Sequence, residues 1–363
     1  MTQLTCQNLC VGYDGRTVLT DLNFSVSAGD YLCIVGENGS GKSTLMKTIL
    51  GLQPPCSGKI LTGSGLRKNE IGYLPQQTAI QMDFPASVSE IVRSGCQGRC
   101  GWHPFYGCKE RQLAANAMEK MQITPLAQRC YRELSGGQQQ RVAIARTLAP
   151  NPRVLLMDEP LSNLDAKLRN DMRAELKRLH QSTGATFVYV THDQLEAMTL
   201  STKICLMKLG VLQQYSSPLE LYGKPANLFT ADFVGNPSIN LIPMEGKLEN
   251  GEVKLAHKDV KLTFCPNEEI TLPASGKVVL GVRPEFLKQQ DHNSIQATVE
   301  SSLPSGMETI LVTTRGDLRL TSVIFGDVDY KTGEVLNMGF DGGKYQLFDG
   351  DTGLRLTSGS VRV

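Results

Sequence analysis

One short segment of this 363-residue chain limits its possible folds more than any other. Residues 36–43 read Gly-Glu-Asn-Gly-Ser-Gly-Lys-Ser, which fits the pattern G-x4-G-K-[S/T]. The glycines let backbone N–H groups wrap a phosphate, the lysine offsets phosphate charge, and the final serine can hold Mg²⁺. An apolar strand-like run, Tyr31–Val35, precedes the segment, and a helix-like run, Thr44–Leu50, follows it. This context predicts a phosphate-binding loop (P-loop) instead of an ordinary glycine-rich turn.

Two further apolar runs end at polar residues. Val154–Met157 ends at Asp158, and Phe187–Val190 ends at Thr191 and His192. Strands that are apolar on both faces are typical of a parallel sheet covered by helices. A helix between the two runs is predicted, because apolar residues recur on one helical face. Its markers are Leu168, Met172, Leu176 and Leu179, with Gly184 just beyond its end. We therefore expect an α/β unit that binds its ligand at the carboxyl ends of the strands.

An acidic pair, Asp158 and Glu159, follows the run Val154–Met157. Asp158 stands at the end of the predicted strand, where its carboxylate can bind Mg²⁺ or a water held by the ion. Glu159 then lies beside the terminal phosphate, where a carboxylate can orient or deprotonate a water. An acidic pair after a strand can also be an ordinary surface feature, but the P-loop favours the site.

A second helix start carries a phosphate-binding pattern. Leu134–Gln138 reads Leu-Ser-Gly-Gly-Gln and opens a predicted helix that runs through Val142, Ile144 and Ala145. The free N–H groups and the dipole of a helix start attract anions. One chain thus has two phosphate-binding helix starts. The simplest explanation is a head-to-tail homodimer in which each nucleotide lies between one P-loop and the partner's Ser135–Gln138.

Together these segments resemble the nucleotide-binding subunit of an ATP-binding cassette (ABC) transporter. The resemblance covers about residues 1–235 and implies an α/β P-loop ABC nucleotide-binding domain with a helical subdomain at about 77–150. Leu134–Gln138 matches the family signature, and Asp158 with Glu159 matches its Walker B pair. The other family motifs are matched by Val11–Tyr13 (adenine-stacking aromatic), Gly72–Gln76 (Q-loop), Ser162–Asp165 (D-loop) and Val190–Asp193 (switch histidine).

The resemblance implies ATP and Mg²⁺ as cofactors and gives each matched residue a role. It places Tyr13 on the adenine and makes Glu159 the general base. His192 is expected to contact the terminal phosphate, and Gln76, also expected to be catalytic, to reach Mg²⁺ through water. Ser43 and Asp158 are the expected metal ligands. Phosphate binding is expected at Gly36, Asn38, Gly39, Ser40, Gly41, Lys42, Ser43 and Thr44 and, from the partner chain, at Ser135, Gly136, Gly137 and Gln138. A lone histidine or tyrosine is more often a packing residue, but the presence of every motif favours these roles.

The sequence pattern changes after Asn236 and Pro237. Short alternating runs and frequent turn residues there indicate a β-barrel or sandwich. We place the domain boundary near residue 235, giving domains 1–235 and 236–363. The second domain resembles the OB-like (TOBE-type) regulatory domain of carbohydrate importers. In the first domain we also expect a helix over residues 110–130.

Two finer resemblances meet at Leu134. Residues 1–133 are similar to ATPases of zinc- or manganese-type importers, through segments such as Met82–Pro85. Residues 134–363 are similar to ATPases of maltose-type carbohydrate importers, through segments such as Leu280–Glu285. A natural mosaic, an engineered fusion and an assembly artefact all stay open. The longer match favours carbohydrate import, with metal import as the alternative.

The expected partners follow from the resemblance and from charge. No apolar run reaches the roughly 18 residues that span a bilayer, so we expect separate integral-membrane permease subunits, docked beside Gln76. Residues 1–6 lack the pattern of a secretion signal, so we expect a peripheral protein on the cytoplasmic face of the membrane. An extracytoplasmic solute-binding protein would act indirectly, and the last domain could bind a regulatory protein. A net charge of +1 argues against nucleic acid and against a soluble, non-transport ABC ATPase.

A cysteine group leaves one more alternative. Cys96, Cys100 and Cys108, with His103 between them, supply ligand types that bind zinc. The spacing contains no Cys-x-x-Cys pair, so a surface loop with reduced thiols is favoured over a metal site.

Overall fold

The computed structural model describes residues 1–13, 16–63, 65–76, 85–100, 105–342 and 344–363. These residues form two compact units, Met1–Pro218 and Leu219–Val363. The strands of the first unit are β1 (Thr2–Tyr13), β2 (Arg16–Ser27), β3 (Tyr31–Gly36), β4 (Ser57–Thr62), β5 (Ile71–Leu74), β6 (Val154–Asp158), β7 (Thr186–Thr191), β8 (Lys203–Lys208) and β9 (Val211–Ser216). Its helices are α1 (Lys42–Ile49), α2 (Val88–Ser94), α3 (Cys108–Lys120), α4 (Gly136–Leu148), α5 (Ala166–Thr183) and α6 (Gln194–Leu200).

The core of the first unit is a six-stranded sheet in the order β5-β6-β7-β3-β8-β9. All pairs are parallel except β8 with β9. Every residue of β3, β6 and β7 is buried, which confirms the parallel sheet predicted from the apolar runs. In register, Asp158 lies opposite Val190, and Val35 lies opposite Thr191. The strand ends that precede the P-loop, the acidic pair and His192 therefore meet at one edge. A separate antiparallel sheet, β2-β1-β4, carries the N-terminal strands.

The helices begin and end where local chemistry allows. Asp165 caps α5 by accepting a hydrogen bond from the Leu168 N–H at 2.9 Å, and Gly184 ends it with φ of 60°. The predicted α5 is confirmed. None of the helices in these described ranges has the length and apolar character needed to cross a membrane.

The predicted helix over residues 110–130 is wrong at its C-terminal end. The helix there, α3, stops at Lys120. Gln122 adopts a left-handed φ of 55°, which a continuing helix cannot contain. A short 3₁₀ turn with Pro125 follows over Thr124–Leu126, and proline has no N–H to give to a helix.

The second unit is built mainly of strands, as the sequence predicts. A closed barrel has the order β10-β11-β12-β20-β19-β13, and a five-stranded sheet has the order β14-β18-β15-β16-β17. The strands are β10 (Asn240–Glu249), β11 (Glu252–His257), β12 (Val260–Pro266), β13 (Lys277–Val282), β14 (Leu287–Gln289), β15 (Ser294–Pro304), β16 (Glu308–Arg315), β17 (Leu318–Phe325), β18 (Val335–Phe340), β19 (Tyr345–Asp349) and β20 (Arg355–Arg362). Two short helices precede them, α7 (Pro218–Gly223) and α8 (Leu228–Phe233).

The two units divide earlier in the chain than the predicted boundary near residue 235. The physical reason is Arg283, which is 3% exposed and lies just after β13. Its guanidinium donates to the carbonyls of Ala231 at 3.0 Å, Tyr222 at 3.1 Å and Val234, and it stacks 4.0 Å above the Tyr222 ring. The segment 219–234 is thereby held to the barrel of its own unit.

Candidate functional site

The P-loop joins β3 to α1 through backbone geometry that glycine provides. Gly39 and Gly41 have φ of 82° and 92°, in the left-handed region that other residues avoid. A Cβ on Gly36 would lie 2.2 Å from the Met207 carbonyl oxygen. The Lys42 side chain is buried, and its ammonium donates to the carbonyls of Gly36 at 2.8 Å and Glu37 at 2.9 Å. The buried ammonium is thus fixed by two backbone carbonyls of the P-loop.

Asp158 lies at the end of β6, close to this ammonium. Burial raises the pKa of Asp158 most, Glu159 raises it further, and the Lys42 ammonium and a hydrogen bond from Ser43 oppose the rise. Burial lowers the pKa of Lys42, against the attraction of Glu159 and Asp158. In the described structure one carboxylate oxygen of Asp158 is buried without a hydrogen-bond partner, and so is the Ser40 hydroxyl. The orphaned oxygen belongs to a carboxylate that accepts a hydrogen bond from the Ser43 hydroxyl, and this pair fits a Mg²⁺ site because the ion takes oxygen ligands.

Glu159 and His192 face each other at the same edge. The His192 Nδ1 lies 3.2 Å from Oε1 of Glu159. Glu159 adopts a left-handed φ of 44°, and its N–H donates to the Val190 carbonyl at 3.0 Å. Its own carbonyl accepts a hydrogen bond from the Ser162 hydroxyl at 2.9 Å. The turn therefore aims the carboxylate across to the end of β7, where it contacts the imidazole directly and can orient a water beside the pair.

The signature segment starts α4 in a different neighbourhood. Ser135 and Gln138 form a capping box: the Gln138 N–H donates to the Ser135 hydroxyl at 3.4 Å, and the Ser135 N–H donates to the Gln138 side chain at 3.1 Å. A Cβ on Gly137 would lie 2.5 Å from Cδ1 of Leu168 in α5. Glycine is needed here because the start of α4 packs against α5.

The predicted site residues thus fall into separate places. The contacts above join Lys42, Ser43, Asp158, Glu159 and His192 into one cluster. Tyr13 ends β1 in the smaller sheet and is 44% exposed, and Gln76 is exposed two residues beyond β5.

The alternative zinc site is only partly covered by the structure. His103 lies outside the described residues. So do residues 82–84, which belong to the segment Met82–Pro85 that resembles metal importers. All ten cysteines are free thiols; Cys96 is buried and Cys108 is exposed. Within the described ranges no group of three His, Cys, Asp or Glu side chains is arranged to hold a metal ion.

Two residues near the cluster are not among the predicted site residues. Glu196 is 4% exposed in α6, and Arg169 of α5 lies 3.7 Å from the Asp193 carboxylate while donating to the Leu164 carbonyl at 3.0 Å. Glu196 has a weak sequence signal, since it is an acidic residue beside Ala197 on the buried face of a short helix. The contacts of Arg169 join segments that are distant in sequence, so spacing alone does not reveal them.

Comparison with known proteins places this geometry in a family. The family model described as ABC transporter matches residues 19–162. An ABC transporter ATP-binding protein of Sinorhizobium fredii, y4oS, is 38% identical over 98% of this chain and 95% of its own length. YcjV of Escherichia coli O6:H1, also an ABC transporter ATP-binding protein, is 34% identical over 97% of this chain and 99% of its own length. The structure of cbiO1 from Clostridium perfringens, part of the ABC transporter complex cbiONQ, matches 61% of this chain and 91% of its own, with a TM-score of 0.55 and 30% identity.

Proposed function

Because the chain belongs to the ABC transporter family as an ATP-binding protein, we propose that it is the ATP-hydrolysing subunit of an ABC importer. Membership of the family makes the chain an ABC ATPase that binds ATP. Importer direction, permease and cargo are the proposal. The observation that carries the catalytic part is the cluster in which the buried Lys42 ammonium, the Asp158 carboxylate and the facing pair Glu159–His192 meet.

The proposed roles follow the chemistry of each group. The N–H groups of Gly36–Thr44 and the Lys42 ammonium hold the phosphates. Ser43 and Asp158 would hold Mg²⁺, with Gln76 acting through water. When bound, this ion offsets charge on the phosphates; the chain's own contribution is to hold ATP and fix the water.

The proposed hydrolysis step uses the two groups that face each other. Glu159 accepts the proton of the attacking water, and His192 contacts the terminal phosphate. The 3.2 Å separation of His192 Nδ1 and Glu159 Oε1 is a direct hydrogen-bond distance, which supports a pair in which the carboxylate and the imidazole hold each other in place. Tyr13, 44% exposed at the end of β1, is proposed to stack on adenine.

We place the signature Ser135–Gln138 against the nucleotide of a second copy, which makes the working unit a homodimer around two ATP molecules. Ser135→Arg then blocks hydrolysis and leaves nucleotide binding by the monomer intact, because the arginine stands where the partner's phosphates must enter. Ser87→Arg is the matched control, since Ser87 caps α2 with the same kind of capping box. Turnover by Ser135→Arg equal to that of the control would overturn the shared site.

A cleft beside β5 supports docking of the permease. It has a volume of about 810 Å³ and lies between β5, α2 and α4. Its lining is mainly apolar and includes Tyr73, Leu74, Ile91, Tyr131 and Ala143. We propose that a cytoplasmic segment of the permease occupies it and holds the ATPase peripherally at the cytoplasmic face of the membrane.

For the cargo we propose a carbohydrate or related solute, delivered by an extracytoplasmic solute-binding protein that does not touch this subunit. Support comes from residues 236–363, proposed as an OB-like regulatory domain of the carbohydrate-importer kind and as the site of a regulatory protein. The y4oS relative matches along this region as well as the cassette. Zinc or manganese import is the second candidate, favoured by the resemblance of residues 1–133.

Co-purification decides between these cargoes. The full chain is expressed in turn with a carbohydrate permease and with a zinc permease, and the membrane fraction is solubilised and captured through the permease. Recovery with the carbohydrate permease alone is expected. Recovery with the zinc permease alone would overturn the carbohydrate proposal in favour of metal import.

A further inference from the structure

A buried carboxylate beside the site has no part in the proposed chemistry. Glu196 lies in the first turn of α6 and is 4% exposed. Its Oε2 accepts two hydrogen bonds, from the Tyr189 hydroxyl and from the Thr191 hydroxyl, each at 2.7 Å. Burial is the largest influence on the pKa of Glu196 and raises it, while the attraction of Arg169 is the smallest. Burying a carboxylate is costly, so its persistence here calls for a physical reason.

The Thr191 hydroxyl connects this carboxylate to the turn that holds His192. Thr191 is 2% exposed, and its hydroxyl oxygen also accepts a hydrogen bond from the Asp193 N–H at 3.0 Å. The bond spans His192, which lies between these two residues. Asp193 in turn accepts from the Leu195 N–H at 2.8 Å and so caps α6. Both flanks of His192 are therefore fixed through one hydroxyl.

The hydrogen-bonding capacity of the Thr191 hydroxyl explains why an acceptor is needed beside it. A hydroxyl that accepts from a backbone N–H must direct its own proton elsewhere, and a carboxylate oxygen accepts without competing. Glu196 thereby fixes the orientation of the Thr191 hydroxyl. Tyr189 donates to the same oxygen, but its hydroxyl lies within the core beside β7 and is two residues further from His192 along the strand.

We propose that Glu196 is a positioning residue for ATP hydrolysis, which holds the Thr191 hydroxyl and through it keeps His192 against Glu159. The inference rests on the proposed role of His192 at the terminal phosphate. It assigns to Glu196 no contact with nucleotide.

The two hydroxyl donors offer a matched pair of variants. Thr191→Val and Tyr189→Phe each remove one hydroxyl from the same Oε2 and leave the size of the side chain nearly unchanged. Thr191→Val is expected to lower kcat roughly 10-fold or more, because small displacements of reacting groups are costly, with KM for ATP within about twofold of the parent. Tyr189→Phe is expected to stay within about twofold in both constants.

The role of Glu196 is tested by a conservative variant, Glu196→Gln, and by a double variant that combines Glu196→Ala with Thr191→Val. Glu196→Ala is expected to lose turnover as Thr191→Val does, and the double variant to lose no more than either single one, because both break the same link. Glu196→Gln is expected to restore most of the turnover, since its amide oxygen can accept from Thr191. Thermal unfolding of each variant reports folding, and the isosteric Thr191→Val carries the test if Glu196→Ala does not fold.

The outcomes separate this inference from the proposed function. Equal losses in Thr191→Val and Tyr189→Phe, or parental kcat in Thr191→Val, overturn the positioning role. His192→Ala is measured alongside. If it loses turnover while Thr191→Val does not, only the positioning role fails; parental turnover in His192→Ala overturns the proposed role of the histidine itself.

Discussion

The two units use strands in opposite ways. In the first unit β3, β6 and β7 are buried along their whole length, so their polar chemistry collects where the strands end. In the second unit β10 and β15 alternate between buried and exposed residues along much of their length. Continuous burial leaves a single edge for function, whereas alternation gives each strand one face for the core and one for solvent.

Two buried polar side chains, Asp158 in the first unit and Asn240 in the second, illustrate different uses of polar burial. Asp158 keeps a buried carboxylate oxygen without a partner in the described structure. Asn240 in β10 is 8% exposed and fully engaged: its amide nitrogen donates to Val282 at 3.0 Å and Thr321 at 2.7 Å, and its oxygen accepts from the Thr321 N–H at 2.7 Å. An unsatisfied buried group is costly and points to a ligand, while a satisfied one specifies packing. The unpartnered Asp158 oxygen lies at the proposed Mg²⁺ site, whereas the amide of Asn240 joins β10 to β13 and β17 of its own unit.

The largest expected effect comes from removing the buried ammonium of the first unit. Lys42→Ala is expected to lower ATP turnover roughly 10³-fold, about 4 kcal/mol in the activation free energy, since its buried ammonium is fixed where the phosphates are proposed to bind. Steady-state ATP hydrolysis by the full chain measures it. Lys47→Ala, an exposed lysine on the same helix, is the control and is expected to stay within about twofold. Similar losses in both variants would contradict a specific role for Lys42.

The matching change in the second unit removes its buried guanidinium. Arg283→Met leaves the carbonyls of Ala231, Val234 and Tyr222 without their donor, and is expected to cost about 3 kcal/mol of unfolding free energy in that unit. Thermal unfolding and limited proteolysis measure the loss. Arg319→Met, which breaks an exposed pair with Glu300, is the control and should cost less than about 1 kcal/mol. A fall in ATP turnover by Arg283→Met as large as that of Lys42→Ala would contradict a purely structural role for Arg283.

The smallest expected effect is a surface pH dependence in the second unit. Hydrogen bonds from Lys258 and His257 lower the pKa of Asp317 to about 2. Because the folded pKa lies below the ordinary value, this carboxylate stabilises the fold above about pH 4, and the contribution fades as pH falls toward 2. Thermal midpoints of the parent and Asp317→Asn should differ slightly at pH 7 and converge near pH 2. A gap that widens on acidification would contradict the assignment.

The sequence predicts those parts of the fold and site that are encoded locally. The P-loop pattern, the apolar strands and the start of α4 at the signature segment each lie within a few residues, so spacing alone reveals them. The end of α3 at Lys120 is missed because the apolar period continues while Gln122 turns left-handed.

The remaining features depend on contacts between distant parts of the chain. Arg283 binds carbonyls 49 to 61 residues away, and no local pattern reports that. Glu196 lies only a few residues from its partners, yet its burial depends on the sheet beneath α6. Hydrophobic periodicity indicates which face of a helix is apolar. It does not show which polar side chain on that helix is buried by tertiary packing.

The edge formed by Asp158, Glu159 and His192 is proposed to hydrolyse ATP. The most direct measurement compares Glu159→Gln with the parent in ATP and Mg²⁺, recording phosphate release together with the mass and bound nucleotide of the protein. Glu119→Gln, an exposed glutamate of α3, is the control. We expect Glu159→Gln to keep ATP, accumulate as a dimer and release phosphate at a small fraction of the parental rate. Hydrolysis by Glu159→Gln at the parental rate would contradict the claim.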